Sequence, residues 1–201
     1  ADFDYESLRK YPDPTAAGLI GALSDTYGVP ADQIFVGVGS DDVLAMSFLS
    51  FFTSGEKILF PDVTYSFYDV WADEFRIPFE TVPLLPDFSI DIDGFCKGDA
   101  AGIVIPNPNA PTGLDAGTAA LEKIIRSNPQ CVVIIDEAYV DFGAVSVLPL
   151  IEKYDNLLVT QTFSKSRALA GSRIGFAFGS KKLIKYLNDV KGTCYNTVPM
   201  V

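Results

Sequence analysis

The sequence predicts an α/β fold: a three-layer sandwich in which a mostly parallel mixed sheet of about seven strands lies between two layers of helices. Two observations carry this prediction. Stretches with helical periodicity alternate along the chain with short apolar runs typical of buried strands, and such alternation is characteristic of parallel sheets with both faces covered. No internal repeat, low-complexity linker or second domain is evident, so residues 1–201 are expected to form one domain.

The elements follow in order from apolar periodicity and from the turn residues between them. Segment 40–52 presents apolar residues at helical spacing, and 131–135 is five consecutive apolar residues. Segment 83–93 is rich in turn residues and is predicted to be loop and short strand. The predicted helices are 16–27, 40–52, 65–75, 117–127, 147–154 and 181–191, and the predicted strands are 33–36, 57–60, 80–84, 102–105, 131–135, 156–161 and 173–178.

Composition excludes several classes of function. The chain has 201 residues, 48% of them hydrophobic, which is enough to bury a substantial core, but no apolar run approaches the ~18 residues of a membrane span and no secretory signal pattern is seen. A net charge of −11 argues against nucleic acid or an anionic membrane as partner. Because histidine is absent, Ser-His-Asp and Cys-His catalysis and histidine-based zinc sites are excluded within the chain.

The three cysteines predict a reducing compartment. Cys96, Cys131 and Cys194 are odd in number, far apart and without a Cys-x-x-Cys pair. Cys131 begins an apolar strand and is expected to be a small buried hydrophobe. This pattern favours the cytoplasm over an oxidising compartment.

Polar clusters follow three of the predicted strands. Strand 102–105 leads into a proline-rich polar turn, strand 131–135 ends at Asp136 and Glu137, and strand 156–161 leads to Lys165. Open α/β sheets bind ligands at the carboxyl ends of their strands. A lysine at the end of a buried strand is costly to desolvate unless it has a function; alternatively, it is a solvated lysine on a surface loop. Together the three clusters predict one site.

Six motifs, in order, carry a resemblance that covers nearly the whole chain. They are 11–14 (YPDP), 37–44 (GVGSDDVL), 60–68 (FPDVTYSFY), 106–113 (PNPNAPTG), 136–142 (DEAYVDF) and 162–173 (TFSKSRALAGSR). With them, the sequence resembles the large domain of fold-type-I pyridoxal-phosphate (PLP) aminotransferases of class I/II, most closely the histidinol-phosphate aminotransferases. Each motif alone is weak, whereas the ordered set is specific.

The resemblance implies roles for three catalytic residues. Lys165 would supply the primary amine that binds the cofactor aldehyde and, once freed, moves the α-proton of the substrate. Asp136 would face the pyridine nitrogen and keep it protonated, as an electron sink requires. Tyr139 would donate to the ring oxygen.

The resemblance also implies a phosphate-binding region. Gly39, Ser40 and Asp41 open a helix whose N-terminal N–H groups suit an anion; Ser40 and the aspartates could equally cap that helix. Because carboxylates are poor neighbours for phosphate, the backbone there is expected to provide the donors. The charge and hydroxyls would come from Arg173, Thr162 and Ser164.

Three further positions are less regular. Tyr65 would stack on the pyridine ring, although an aromatic residue at a helix start is more often core. Relatives carry asparagine immediately before the proline of the Pro-Thr-Gly turn, where this chain has Ala110. Either Asn109 reaches the ring oxygen from a shifted turn, or Tyr139 serves alone. Arg167 matches no position of the family and is interpreted as a supporting or surface residue.

The sequence offers few candidates for residues that contact the substrate. Tyr11 and Asn196 are candidate substrate contacts, with packing an alternative for Tyr11. The family has an N-terminal arm and a C-terminal small domain, both expected to be missing here, so this chain alone would bind cofactor and turn over little or nothing. Family members are usually homodimers whose subunits share the site.

The resemblance implies transfer of an amino group between histidinol phosphate and 2-oxoglutarate, giving imidazole acetol phosphate and glutamate in histidine biosynthesis. An aromatic or broad-specificity aminotransferase, or an amino-acid-phosphate decarboxylase, would share the same cofactor residues. A non-catalytic cofactor-binding domain is the alternative from a different class.

Overall fold

A single seven-stranded sheet forms the centre of the molecule. The computed structural model describes residues 9–192, 195–197 and 200, and within them the strands follow the order β1-β7-β6-β5-β4-β2-β3 across the sheet. Their bounds are β1 Ile34–Gly37, β2 Ile58–Pro61, β3 Phe79–Val82, β4 Gly102–Pro106, β5 Val132–Asp136, β6 Leu157–Thr162 and β7 Gly175–Gly179.

The sheet is mixed but mostly parallel, as the sequence predicts. Strands β3, β2, β4, β5 and β6 run parallel to one another. Strand β7 is antiparallel to both β6 and β1. The short connection from β6 to β7 contains no α-helix, so the chain returns beside β6 in the opposite direction.

In the part of the chain that the structure describes, five α-helices cover the two faces of the sheet. They are α1 Ala17–Tyr27, α2 Ser40–Phe51, α3 Tyr68–Glu74, α4 Thr118–Ser127 and α5 Lys181–Val190. Apolar residues of α1 and α4 join one buried cluster with one set of strand side chains. Residues of α2, α3 and α5 join the cluster on the other face. The three-layer architecture is therefore confirmed.

Two predicted helices are wrong in extent. The segment predicted as helix 147–154 is a five-residue 3-10 helix, Leu148–Glu152, with Pro149 near its start. The segment predicted to become helical at Tyr65 does so only at Tyr68. In the first case the apolar positions also fit a shorter 3-10 helix, and in the second the loop before the helix is held by Asn109, which bonds Val63 and Thr64.

The carboxyl ends of β4, β5 and β6 share an edge with the start of α2. Gly175 of β7 allows this close approach: a Cβ atom there would lie 2.2 Å from the carbonyl carbon of Gly39 and from the nitrogen of Ser40. Backbone from β7 and from the first turn of α2 therefore meets directly. Within the described residues, no helix is long and apolar enough to cross a membrane.

Candidate active site

A cleft opens at the edge where the parallel strands end. Its cavity volume is ≈ 100 Å³, and with the space open to solvent around it the cleft spans ≈ 570 Å³. Eight predicted site residues line it: Ser40, Asp41, Tyr65, Asp136, Tyr139, Ser164, Lys165 and Arg173. Residues from five separate segments of the chain thus converge on one cavity.

Asp136, the last residue of β5, lies at the buried end of the cleft and is 5% exposed. Its carboxylate accepts hydrogen bonds from the Tyr68 hydroxyl at 2.8 Å, from the Thr160 hydroxyl at 3.2 Å and from the Ala138 N–H at 3.2 Å. All three donors are neutral, and no cationic side chain of the described residues pairs with it. Burial raises the pKa of Asp136 above its ordinary value.

Lys165 lies in a tight turn just beyond β6, and its carbonyl accepts the N–H of Ala168 at 2.9 Å. Its ammonium group is 5.1 Å from the centroid of the Tyr139 ring. β6 ends at Thr162, and Lys165 lies exposed on a loop, as in the alternative interpretation, while it lines the cleft. Within the described residues it makes no ion pair, so the amine is available to a ligand.

The other end of the cleft combines a helix start with an arginine. Gly39 is the residue before α2 and makes no side-chain cap, so the alternative that Ser40 caps the helix is not realised. A Cβ at Gly39 would lie 2.5 Å from Arg173 Nη2, so glycine is needed for the guanidinium to lie here. Arg173 pairs with Asp41 at 3.3 Å, and Asp41 also accepts from the Tyr65 hydroxyl at 2.9 Å.

Three predicted cofactor residues do not line the cleft: Gly39, which directly precedes the lining residue Ser40, and Asn109 and Thr162. The side-chain amide of Asn109 donates to the Val63 carbonyl at 3.0 Å and accepts from the Thr64 hydroxyl at 3.2 Å, so it holds the loop before α3. The Thr162 hydroxyl donates to the Ile174 carbonyl at 3.4 Å and accepts from the Ser164 N–H at 3.1 Å. Both side chains are used by neighbouring backbone.

Neither candidate substrate residue lies at the cleft. Tyr11 is 80% exposed and does not line it. Asn196 is buried, and its amide donates to the Asp13 carbonyl at 2.6 Å. Of the cysteines, Cys96 and Cys131 are free, burial raises the pKa of Cys131 to about 11, and Cys194 lies outside the described residues.

Sequence reasoning missed Tyr68 and Thr160, the two side-chain donors to Asp136. Tyr68 is fully buried, three residues after Tyr65, and its position in an apolar helix gave no sign of a polar partner. Thr160 is directly opposite Asp136 in the register of β5 and β6. Strand pairing was the signal that could have found it.

These residues fit a pyridoxal phosphate. The buried Asp136 carboxylate, bonded only to neutral groups, suits a cationic ring nitrogen, which would remove the cost of an unpaired buried charge. The exposed amine of Lys165 suits an aldehyde, and Arg173 with the uncapped start of α2 suits a phosphate. Asp41 is an unfavourable neighbour, because a phosphate would share Arg173 with its carboxylate.

Comparison with known proteins gives a consistent result. The family model for aminotransferase class I and II matches residues 3–200. The chain is 49% identical over 199 residues to a histidinol-phosphate aminotransferase of Lactococcus lactis subsp. cremoris, covering 99% of this chain and 55% of the relative. It is 51% identical over 197 residues to histidinol-phosphate aminotransferase 1 of Bordetella parapertussis, covering 97% and 55%. The chain therefore spans about half the length of the curated relatives it matches.

Solved structures with the same fold are more distant in sequence. Histidinol-phosphate aminotransferase from Sinorhizobium meliloti, in complex with pyridoxal-5'-phosphate, superposes with a TM-score of 0.89 at 21% identity, covering 97% of this chain and 55% of that one. The Clostridium acetobutylicum histidinol-phosphate aminotransferase gives 0.87 at 22% identity, covering 97% and 59%. These likenesses show the fold, whereas the family match extends over almost the whole sequence. The chain belongs to the class I and II aminotransferase family.

Proposed function

We propose that this chain is the cofactor-binding large domain of a PLP-dependent aminotransferase that acts on histidinol phosphate with 2-oxoglutarate as amino acceptor. The observation that carries the proposal is the convergence of Lys165, Asp136, Tyr139 and Arg173 on one cleft. The choice of substrate is supported by the names of relatives about half identical to this chain.

Each of these residues has a separate role in the proposed reaction. When bound, pyridoxal phosphate supplies an electron sink that stabilises negative charge at the substrate α-carbon. Asp136 holds a proton on the ring nitrogen by ion pairing. Tyr68 and Thr160 keep that carboxylate oriented and ionised by donating to it.

Lys165 acts as the covalent anchor and as the proton carrier. Its Nζ would hold the cofactor until a substrate amine displaces it, and the freed Nζ would then carry the proton from the substrate α-carbon to the cofactor. Tyr139, whose ring lies against the Lys165 amine, donates to the ring oxygen. Asn109 is committed to the loop at 63–64, which favours Tyr139 acting alone.

The phosphate would be held by Arg173, Ser164 and the N–H groups at the start of α2. The helix dipole and free N–H groups favour an anion at that point. The Arg173–Asp41 pair is half-exposed and is therefore weak, so a phosphate can take the guanidinium at low cost.

We extend the proposal to assembly and compartment. Exposed apolar side chains near the cleft, including Phe142 at 65% and Leu169 at 47%, suit a homodimer whose partner completes the site. Two described cysteines are free, which suits a cytoplasmic protein.

The test is a visible absorption spectrum of the purified full-length protein with pyridoxal phosphate, compared with Lys165→Ala. We expect a band from the lysine-bound cofactor that the variant loses. The wild type should then convert one equivalent of histidinol phosphate by itself and turn it over repeatedly only when 2-oxoglutarate is present. Release of carbon dioxide without any amino acceptor would indicate a decarboxylase instead, and binding without a half-reaction with any amino donor would indicate a non-catalytic domain.

A further inference from the structure

Arg167 stands two residues from Lys165, yet its side chain does not line the cleft. It points to the opposite side of the turn and is mostly buried, with 24% of the side chain exposed. Its guanidinium lies over the rings of Phe163 and Phe176, at 5.3 and 5.4 Å from their centroids. Burying a charge among aromatic rings is costly unless its donors are satisfied.

The donors of Arg167 are shared among four acceptors. Nη2 donates to the Tyr27 hydroxyl at 2.6 Å and to Gln161 Oε1 at 3.1 Å, and pairs with Asp141 at 3.2 Å. Nη1 donates to the Thr162 carbonyl at 3.3 Å. Only arginine presents enough donors in a fixed plane for such a set.

Three of those acceptors, Gln161, Thr162 and Asp141, lie on the segments that carry the site, and the fourth, Tyr27, is on α1. Thr162 is the last residue of β6, just before the turn of Lys165. Asp141 lies in the 3-10 turn that follows Tyr139, and it also accepts from the Ser166 hydroxyl. Arg167 and Asp141 therefore connect the segment that carries Lys165 to the segment that carries Tyr139. This connection lies on the side of the turn away from the cleft, whereas Lys165 Nζ contacts the Tyr139 ring on the cleft side.

We infer that Arg167 is a positioning residue for Lys165: by binding Asp141, Tyr27 and the end of β6, it fixes the lysine turn relative to Tyr139. This inference rests on the proposed function, because the proposed function gives Lys165 a cofactor to react with in the cleft. Arg167 itself does not line the cleft, so it would act through Lys165. Misplacing a reacting group by about 1 Å lowers rates on the order of 100-fold, so a modest loosening of this turn is enough to be measured.

The experiment uses the cofactor-free full-length protein and measures two properties. One is the rate at which Lys165 captures added pyridoxal phosphate, trapped by borohydride and located by peptide mass spectrometry, with exposed Lys97 as internal reference. The other is amide hydrogen exchange of residues 163–173. Variants are Arg167→Met, Arg167→Lys and Asp141→Asn, and Arg126→Met on the exposed side of α4 is the matched control.

Arg167→Met is expected to lower capture at Lys165 about 10-fold and to speed exchange within 163–173. Labelling of Lys97 and exchange in the sheet should stay at wild-type values. Arg167→Lys keeps the charge but has fewer donors, so its capture rate should lie between those of Arg167→Met and the wild type. The capture rate of Arg126→Met should match that of the wild type. A purely structural role would instead lower the melting temperature and raise exchange throughout, with no graded recovery by lysine.

Wild-type capture by Arg167→Met overturns the inference, whether or not exchange changes. If Arg167→Met does not fold, Asp141→Asn, at a side chain that is 40% exposed, decides in the same way: wild-type capture by that variant overturns the inference. Absence of capture at Lys165 in the wild type refutes the proposed function and the role toward cofactor. In that case, the exchange data still show whether Arg167 holds the turn.

Discussion

Asp136 and Glu137 are consecutive, both are buried, and they lie on opposite faces of the sheet at the end of β5. Glu137 accepts from the Ser146 hydroxyl at 2.7 Å, the Val147 N–H at 2.7 Å and the Gln161 amide at 2.8 Å. Asp136 accepts from Tyr68, Thr160 and Ala138, and one side of it opens into the cleft. Burial raises the pKa of both carboxyl groups.

The difference shows that two neighbouring carboxylates at one edge of the sheet have different environments, one suited to stabilising the fold and the other to binding a ligand. The face of Glu137 is closed: its partner Gln161 also bonds Tyr27 and Arg167, so the network extends into the base of the lysine turn. The face of Asp136 is left open to a ligand. We therefore expect changes at Glu137 to act on stability, and changes at Asp136 to act on cofactor binding and rate.

The largest expected effect is that of Asp136→Asn on the reaction. Without a carboxylate opposite it, the ring nitrogen loses its proton, and activity of the full-length enzyme should fall on the order of 10³-fold, as for removal of a preorganised electrostatic contact. Steady-state kinetics measure this. The exposed Asp73→Asn on α3 is the control and should retain activity; an equal loss there, or none in Asp136→Asn, would contradict the assignment.

Glu137→Ala should lower the free energy of unfolding by about 3 kcal/mol, because buried donors lose their acceptor. Urea denaturation of the cofactor-free protein measures this loss. Exposed Glu152→Ala should change stability by less than about 0.5 kcal/mol. If Glu137→Ala left stability intact and abolished cofactor binding instead, the division between the two faces would be wrong.

Tyr68→Phe should weaken pyridoxal phosphate binding about 10-fold, because the ionised Asp136 loses one of its donors and hydrogen bonds to charged groups contribute about 1.5–3 kcal/mol. Fluorescence titration gives the Kd. Tyr186→Phe, on the exposed side of α5, is the matched control. An unchanged Kd in Tyr68→Phe would show that the other donors suffice.

The smallest and most gradual expected effect is on the pH dependence of the free energy of unfolding of the cofactor-free protein. Burial raises the folded-state pKa of Asp136 above 3.8. Its stabilising contribution is therefore fully present below that value and is lost as pH rises through the raised pKa, because the native state binds the proton more tightly than the unfolded chain. Asp136→Asn should flatten this part of the profile, measured as urea midpoints from mildly acidic to neutral pH. A variant profile parallel to that of the wild type would mean that Asp136 ionises freely.

Much of the fold was predictable because local patterns are consistent with one another. The seven strand segments agree with the structure to within two residues at each end, since buried parallel strands are nearly continuous apolar runs. The helix at 147–154 failed because its apolar positions fit either an α-helix or a shorter 3-10 turn. Eight of the predicted site residues were placed at the cleft because their motifs follow strand ends, which share an edge.

The remaining features depend on contacts between residues far apart in sequence. Spacing alone could not show that Asn109 bonds the 63–64 loop, or that Tyr68 reaches Asp136 across 68 positions. The sequence by itself determined the layered fold, the family and the reactive groups, because these follow from periodicity and from ordered motifs. Only the tertiary structure decided which carboxylate faces a ligand and which residues hold the lysine turn, because strand register and helix packing set those distances.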